Sequence, residues 1–326
     1  MIGGGQYLYK LFIDINTIKK DKEAELGSGA YGTVTKGVLP ATSKRREIHC
    51  ARKTLNHIDY SDTERKIFLN EIGCQAALHH IAILPIIGCS IPAEENDNYV
   101  IVTEFMKNGS LHKLVKKVES KKGPPNWETI RAINIFGIAA GMAYIHQSDV
   151  IHRDLKTDNI MLDENYNPKI SDFGFSKFFE EGTQKLNTGT PLYNAPEILQ
   201  GEIYSNPVDI YAYSMVLYEI LTLKMPYSDR KKESFYSDVL SGKRPTITKD
   251  IPKPFVELMN QCWDVNPEVR PPFIEIVKKL DEEKDKFFDF SKVDKKSFLD
   301  YVDKAKEGLR FNDLLERDHS SSSDGY

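Results

Sequence analysis

The sequence predicts an α+β fold, with β-strands in the first third of the chain and helices in most of the remainder. Two observations predict this division. Short runs with the composition of strands occur at 33–38, 48–53 and 99–103. After residue 110, apolar residues recur at helical spacing, and over 130–146 they cover almost the whole helix circumference, which indicates a buried helix.

The composition is that of an ordinary globular protein. The 326 residues can hold one large domain or two modest lobes. Hydrophobic residues make up 40% and charged residues 28% of the chain, and the formal net charge of -4 argues against general affinity for nucleic acid. Any preference for charged substrates must therefore be local.

Cysteine use and the lack of a membrane segment favour an intracellular protein. The four cysteines, Cys50, Cys74, Cys89 and Cys262, have no paired spacing, so reduced thiols are expected rather than disulfides or a zinc site. No apolar run is long enough to span a bilayer, and the first residues lack the pattern of a secretory signal. We therefore expect a cytoplasmic location, with the nucleus as the alternative.

Residues 1–19 form a short N-terminal extension, in which 12–15 is the one candidate strand. The segment 26–34 follows, with glycines at the G-x-G-x-x-G spacing that lets backbone amides approach a polyphosphate. That spacing alone is not specific, because dinucleotide-binding domains share it and a simple turn can also use glycine. Here a strand follows instead of a helix, and Thr33 stands where a P-loop has Lys. The β-branched run predicts a hairpin of strands. Taken alone, the segment leaves two interpretations open, a loop that covers a polyphosphate and a turn that merely uses glycine.

The next elements carry further polar residues at defined places. Ala51 and Lys53 share one side of their strand, because side chains alternate along a strand. A helix is predicted to end just before His79 and His80. These adjacent histidines point apart and have no ligand-spaced partners, which indicates a turn at the helix end rather than a metal site.

A polar cluster between apolar runs marks the centre of the predicted site. Asp154, Lys156 and Asn159 lie within six residues, between apolar runs at 150–151 and 160–162. Phosphoryl transfer needs such a set: a carboxylate to orient the attacking hydroxyl, a cation for the developing phosphate charge, and an oxygen donor for magnesium.

This stretch resembles the catalytic loop of eukaryotic-type protein kinases, whose pattern is matched by His152-Arg153-Asp154-Leu155 followed after three residues by Asn159. The tripeptide Asp172-Phe173-Gly174 resembles the Asp-Phe-Gly motif of the same family. The segment 188–197 resembles the end of the kinase activation loop. Finding these motifs in order after the glycine loop makes the resemblance specific.

The resemblance covers about residues 20–280 and implies a bilobal kinase fold. A small antiparallel β-sheet lobe with one main helix would span about 20–105, and a mainly helical lobe about 107–280, with ATP in the cleft. Residues 281–318 would then be a charged helical tail, and 319–326 a disordered, serine-rich C-terminus.

The resemblance also implies catalytic roles. Asp154 would accept the proton of the substrate hydroxyl, and Lys156 would steady the γ-phosphoryl group. Lys53 would reach the α- and β-phosphates and be held there by Glu71, with Glu64 as a less well-spaced alternative partner.

Cofactor contacts follow in the same way. Asn159 and Asp172 would bind Mg²⁺, because two hairpin strands can fill the interval between them and bring them together. The residues expected to contact ATP are Leu26, Gly27, Ser28, Gly29, Ala30, Tyr31, Gly32, Val34, Ala51, Lys53, Thr103, Glu104, Met106 and Met161.

Two structural contacts are implied as well. Glu197 would form a buried ion pair with Arg270, and Asp209 would bind the catalytic-loop backbone.

Three residues depart from the family's pattern. Asn194 replaces a common Met and Ser214 a common Gly, and both changes are expected to be tolerated. Gln75 stands where kinases place an apolar residue under the helix. A polar group there would weaken the active arrangement unless it finds a hydrogen bond.

The acceptor is predicted to be serine or threonine. Lys156, together with Thr190 before a proline, resembles serine/threonine kinases, and the segments 218–221 and 262–267 resemble the tyrosine-kinase-like group. The chain is therefore identified as a serine/threonine kinase of that group, which transfers the γ-phosphate of Mg-ATP to protein substrates in intracellular signalling. A nucleotide-binding pseudokinase scaffold and a small-molecule phosphotransferase are the alternatives.

Regulation is predicted at two places. Arg153 is a cation that a phosphate on the activation loop could pair with, so an upstream kinase acting on Thr183 or Thr188 is a candidate partner. In the tail, apolar residues from Phe298 to Leu309 trace a helical stripe that most simply docks on the second lobe. A partner-binding helix is the alternative, which burial of Phe298 would oppose.

Overall fold

The structure is a computed structural model that describes residues 9–29, 32–41, 46–55, 62–92, 98–173, 177–178, 191–231 and 234–311. Within these ranges, a five-stranded antiparallel sheet is followed by a mainly helical part. The predicted α+β class and its bilobal arrangement are therefore confirmed.

The sheet has the strand order β1-β2-β3-β5-β4, and each neighbouring pair is antiparallel. Its strands are β1 (Lys19–Gly29), β2 (Gly32–Leu39), β3 (Ile48–Leu55), β4 (Ile86–Ser90) and β5 (Val100–Glu104). Helix α1 (Asp62–Ala77) covers one face, where Phe68 and Ile101 belong to one apolar cluster. Val100 and Val102 belong to a cluster on the opposite face, because side chains alternate along β5.

The N-terminal extension packs on the edge of the sheet at β4. The Ile13 amide donates a hydrogen bond to the Cys89 carbonyl oxygen at 3.0 Å. The predicted strand over 12–15 does not continue past this contact. Asp14 accepts a hydrogen bond from the Asn16 amide at 2.9 Å and so starts a 3-10 turn, as Asp often does in turns.

The helical part is built around α3 (Trp127–Gln147) and α5 (Pro207–Thr222), which are apolar on nearly all sides and almost wholly buried. The other helices are α2 (Leu111–Glu119), α4 (Pro196–Leu199), α6 (Phe235–Leu240), α7 (Lys253–Cys262), α8 (Phe273–Glu282), α9 (Lys284–Phe287) and α10 (Lys295–Ala305). Two short antiparallel pairs complete it, β6 (Val150–Ile151) with β9 (Lys177–Phe178) and β7 (Ile160–Leu162) with β8 (Pro168–Ile170). In the described part of the chain, no helix combines the length and the apolar character needed to cross a membrane.

A buried ion pair joins two distant parts of the helical lobe. Both terminal nitrogens of Arg270 donate to the Glu197 carboxylate, at 2.6 and 3.0 Å, and both side chains are buried. This bidentate geometry is the favourable one for an arginine and a carboxylate. The predicted pair between Glu197 and Arg270 is therefore confirmed, and it ties α4 to the segment before α8.

The C-terminal tail folds back onto its own lobe. In α10, Phe298, Val302 and Ala305 are at most 1% exposed. The Phe298 ring meets Phe136 of α3 edge-on, with ring centroids 6.1 Å apart. The stripe is therefore used within the chain, and the alternative of a partner-binding helix is contradicted by this burial.

Candidate active site

A cavity of about 420 Å³ lies between the sheet and the helical part. Strands β1, β2 and β3 line one side of it, the connection after β5 lines its end, and β7 lines the other side. The predicted nucleotide-contacting residues at its surface are Leu26, Gly27, Val34, Ala51, Lys53, Thr103, Glu104, Met106 and Met161. Asn159 and Asp172 lie at the same cavity.

Part of the glycine loop lies outside the described residues. This applies to Ala30 and Tyr31, and the side chain of Ser28 is likewise not described, so these predicted ATP contacts stay predictions, as does that of Gly29. Gly32 is described, with a φ of 153°. A Cβ at this position would overlap the carbonyl oxygen opposite it in β3, so the close pairing of β2 and β3 requires glycine.

Lys53 and Asp172 meet at the inner end of the cavity. The Lys53 ammonium lies 2.9 Å from an Asp172 carboxylate oxygen. Burial by itself would raise the pKa of Asp172, but the Lys53 ammonium, together with the nearby His152 and Lys156, outweighs burial and holds this pKa below its ordinary value. Asp172 is therefore an anion at neutral pH. The predicted partner of Lys53, Glu71, has a side chain outside the described part of the structure, as has Glu64, so that pairing stays a prediction.

We call residues 150–162 the central stretch; within it, Lys156 and Asn159 both contact Asp154, which is 5% exposed. The Lys156 ammonium lies 2.7 Å from Asp154 Oδ2. The Asn159 side-chain nitrogen donates both to this oxygen and to the Asp154 carbonyl oxygen, each at 2.8 Å. These bonds hold a carboxylate between a cation and an amide, so that its position is fixed before any substrate arrives.

The geometry also suits a magnesium ion held partly by substrate phosphates. Because the Asn159 side-chain nitrogen is used by Asp154, its side-chain oxygen remains for a cation. The Ser171 amide and hydroxyl both donate to the Asn159 carbonyl oxygen at 2.8 Å, which places Asp172 one residue from this link. Within the described ranges, no cluster of three or more His, Cys, Asp or Glu residues forms a metal site by itself. One carboxylate and one amide oxygen agree with the way Mg²⁺ binds proteins together with phosphates.

Asp209 of α5 anchors the start of the central stretch. Its carboxylate, 1% exposed, accepts the backbone amides of His152 and Arg153, both at 2.8 Å, and lies 2.9 Å from His146 Nε2. The predicted contact between Asp209 and this backbone is thus confirmed. Arg153 has a φ of 69°, which costs a non-glycine residue energy. The hydrogen bonds that its own amide and the His152 amide donate to Asp209 hold that conformation.

Gln75 has the hydrogen-bond partner that a buried polar side chain needs at this position. Its side chain is 4% exposed, and the side-chain nitrogen donates to the Leu84 carbonyl oxygen at 2.9 Å. A polar group buried with a partner avoids most of the desolvation cost of an unpaired one. The departure from an apolar residue is therefore accommodated within the fold.

A second polar network supports the end of the central stretch. Glu219 of α5 is fully buried and accepts hydrogen bonds from Thr157 at 2.7 Å and from the Tyr193 hydroxyl at 2.5 Å, while His112 Nδ1 lies 2.7 Å away. Burial and the Glu219 carboxylate raise the pKa of Tyr193 well above its ordinary range. Sequence reasoning gave Glu219 no role, although a charged residue inside a helix that is apolar on all sides signals a buried partner.

Several predicted features fall outside the described residues. Gly174, Thr183, Thr188 and Thr190 belong to segments that the structure does not describe, so the expectations for the activation loop stay predictions. Phe173 is described, is fully buried, and packs edge-on against His152 with ring centroids 5.2 Å apart.

Comparison with known proteins agrees with this geometry. Residues 21–280 match the family described as protein tyrosine and serine/threonine kinase. The chain is 35% identical over 260 residues to a protein of Acanthamoeba polyphaga mimivirus whose name describes a serine/threonine-protein kinase or receptor. It is 35% identical over 276 residues to the dual specificity protein kinase shkB of Dictyostelium discoideum, and 32% identical over 272 residues to the serine/threonine-protein kinase STY17 of Arabidopsis thaliana.

These alignments cover 79%, 82% and 83% of the chain and 15%, 40% and 45% of the respective relatives. The chain thus spans less than half the length of each of these relatives. The fold has a cleft between a sheet-containing lobe and a helical lobe, and the polar residues of the predicted site lie in or beside this cleft. The chain belongs to the protein kinase family, and its relatives agree with the predicted placement in the tyrosine-kinase-like group.

Proposed function

We propose that the protein is a serine/threonine kinase that transfers the γ-phosphate of Mg-ATP to protein substrates. The observation that carries this proposal is that Lys53, Asn159 and Asp172 line one nucleotide-sized cavity. Asn159 also holds Asp154 beside that cavity, and Lys156 contacts Asp154 in turn. Membership of the family implies ATP as the phosphate donor. Magnesium would be held by Asn159 and Asp172 and would neutralise phosphate charge.

The roles of the residues follow from their contacts. Asp154, held by Lys156 and Asn159, would orient a hydroxyl and accept its proton as the bond to phosphorus forms. Lys156 lies beside that carboxylate, where it would stabilise charge on the transferred phosphoryl group. Lys53 would move from Asp172 toward the α- and β-phosphates when ATP enters, since phosphate oxygens compete with the carboxylate for the ammonium.

The acceptor residue is proposed from the neighbourhood of Asp154. Lys156 stands two residues after Asp154, a position that resembles serine/threonine kinases, and its ammonium contacts the Asp154 carboxylate. The name of STY17 describes a serine/threonine-protein kinase. The name of shkB describes dual specificity, so tyrosine is the second candidate acceptor. A protein kinase with this acceptor would serve in signalling, and the cytoplasmic location stays a prediction from sequence.

The test is phosphate transfer by the purified protein. With γ-labelled ATP and Mg²⁺, a mixture of acidic and basic acceptor proteins should become labelled. Asp154→Asn should lower the rate about 10²- to 10⁴-fold, because a general base contributes that much. Asp149→Asn is the matched control, since Asp149 is exposed and precedes the central stretch.

Equal labelling by the parent protein and by Asp154→Asn would contradict the proposal and favour a scaffold that only binds nucleotide. Phosphoamino-acid analysis of the product separates the two acceptor classes. Phosphoserine and phosphothreonine alone support the first candidate, whereas a substantial fraction of phosphotyrosine supports dual specificity.

A further inference from the structure

His80 joins two parts of the molecule that are distant in sequence. It lies in the loop Leu78–Pro85 between α1 and β4, and its Nδ1 accepts a hydrogen bond from the Ala82 amide at 3.1 Å. Its Nε2 lies 2.8 Å from the carbonyl oxygen of Ala305, the last residue of α10. Because Nδ1 is the acceptor, the ring proton resides on Nε2 and is donated to Ala305. Burial lowers the pKa of His80, so the ring is neutral at neutral pH.

The loop that contains His80 is bonded to the strand that leads into Asp172. The Ile170 amide donates to the Ala82 carbonyl oxygen at 2.7 Å, and the Leu84 amide donates to the Ile170 carbonyl oxygen at 2.9 Å. Ile170 ends β8, two residues before Asp172. A displacement of this loop would therefore move the residue proposed to hold magnesium.

Both the loop and α10 rest directly on α3, at two glycines one helical turn apart. A Cβ at Gly141 would lie 2.7 Å from Ile170 Cδ1 and 3.1 Å from the Ala82 Cβ. A Cβ at Gly137 would overlap the Tyr301 hydroxyl of α10. Neither contact leaves space for a methyl group, so α3 holds the loop and the C-terminal helix in fixed relative positions.

We propose that α10 is a positioning element of the active site, acting through His80 on the loop Leu78–Pro85 and thereby on Asp172. The family model matches residues 21–280, so α10 lies outside the part of the chain that this model covers. His80 touches no predicted substrate group and is a positioning residue. The proposal rests on the proposed kinase function for its effect on catalysis, but not for its effect on the loop.

The first test compares three variants of the 326-residue chain by hydrogen exchange without nucleotide. His80→Ala should speed exchange of the Leu84 and Ile170 amides about three- to tenfold, the effect of losing one buried hydrogen bond. His79→Ala is the matched control, because His79 is the exposed neighbour. His80→Gln should restore much of the protection, since its amide nitrogen can still donate to Ala305.

The second test perturbs α10 without touching His80. Lys306 directly follows Ala305, and its ammonium lies 2.8 Å from the Asp281 carboxylate of α8. This ion pair holds the end of α10 in place. Lys306→Ala should speed exchange of the Ile170 amide in the same direction as His80→Ala, whereas Lys304→Ala, at an exposed position in α10, should not. If Lys306→Ala and Lys304→Ala exchange alike at Ile170, α10 does not position the loop.

The third measurement separates positioning from general stability. In the presence of Mg²⁺, His80→Ala should bind ATP about three- to tenfold more weakly than His79→Ala at a temperature where both are folded. A lower melting temperature with unchanged ATP affinity and unchanged exchange at Ile170 would overturn the proposal. If the parent protein transfers no phosphate, the proposed kinase function is wrong. The hydrogen-exchange experiment still shows whether α10 positions the loop through His80.

Discussion

Asp209→Asn tests whether one buried carboxylate holds the central stretch in its active shape. The two carboxylate oxygens of Asp209 accept the amides of His152 and Arg153, one oxygen each, at 2.8 Å. Asparagine has a single acceptor oxygen in the same place. In this variant, one of the two backbone amides must therefore face an NH₂ group and lose its partner.

The cost can be worked from these contacts. A hydrogen bond to a charged group contributes about 1.5–3 kcal/mol, and a buried donor without a partner costs about 1–3 kcal/mol. Asp209→Asn should therefore lower the free energy of unfolding by about 3–5 kcal/mol, the range for breaking a buried charged network. The φ of 69° at Arg153 would also relax, and the neighbouring Asp154 would shift. We expect phosphate transfer by the folded variant to fall about tenfold to a hundredfold, because small misplacements of a catalytic group are costly.

The effect has a defined pH dependence. Burial would raise the pKa of Asp209, but hydrogen bonds from His146 and from the His152 amide outweigh burial and hold this pKa below the ordinary value of 3.8. Because the pKa is depressed in the folded state, the stabilisation is present above about pH 4 and is lost as the pH falls through the folded value. The difference in free energy of unfolding between the parent protein and Asp209→Asn should therefore narrow as the pH falls below about 4.

Denaturant unfolding at neutral pH and at a series of acidic pH values measures this gap. Asp149→Asn is the control, since Asp149 is exposed and has a φ of 57°, which asparagine tolerates. If Asp209→Asn and Asp149→Asn unfold within about 0.5 kcal/mol of each other at neutral pH, the anchoring role assigned to Asp209 is wrong.

Three further predictions can be checked on the same protein. Gly88→Ala should destabilise the fold by about 1–3 kcal/mol, because the new Cβ would lie 2.7 Å from the Leu11 carbonyl oxygen. Gly73→Ala, inside α1 with open space around it, should instead stabilise the fold by about 0.5–1 kcal/mol. Thermal unfolding measures both changes. Thr188→Ala should lower activity after treatment with an upstream kinase, and equal activity of variant and parent would remove Thr188 as the switch. The depressed pKa of His80 makes the unfolded chain bind protons more readily below about pH 6.5, so the parent should lose stability toward pH 5.5 by more than His80→Gln does.

Local chemistry was predictable because the groups concerned are close in sequence. Asp154, Lys156 and Asn159 share one short loop, and no long-range packing is needed to bring them together. The two-residue period of a strand likewise predicted that Ala51 and Lys53 face one side, and both line the cavity. The link from Asn159 to Ser171 required only a hairpin between them, which β7 and β8 supply.

Contacts between elements were predictable only through resemblance, because periodicity identifies a buried face but not its partner. The pairing of Lys53 shows this limit. Side-chain alternation predicts that Lys53 enters the cleft, yet which carboxylate meets it depends on how α1 and β8 approach the sheet. The structure places Asp172 there, at 2.9 Å. In the N-terminal extension, composition favoured a strand over 12–15, and the local Asp14 turn prevailed, because a side-chain cap competes directly with strand pairing.

The role of His80 shows what the sequence contained and what it lacked. The stripe through Phe298 and Ala305 predicted that α10 buries one face, and the structure confirms this burial. The spacing of the two histidines predicted only a turn at the helix end and gave His80 no partner. Gly137 and Gly141 gave the missing signal: a glycine inside a helix that is otherwise apolar is costly unless another element approaches closely. Two of them one turn apart imply two such approaches, one from α10 and one from the loop before β4. The imidazole ring of His80 lies between these two elements, where it donates to the Ala305 carbonyl oxygen and accepts from the Ala82 amide. Only the three-dimensional arrangement identifies His80 as this link.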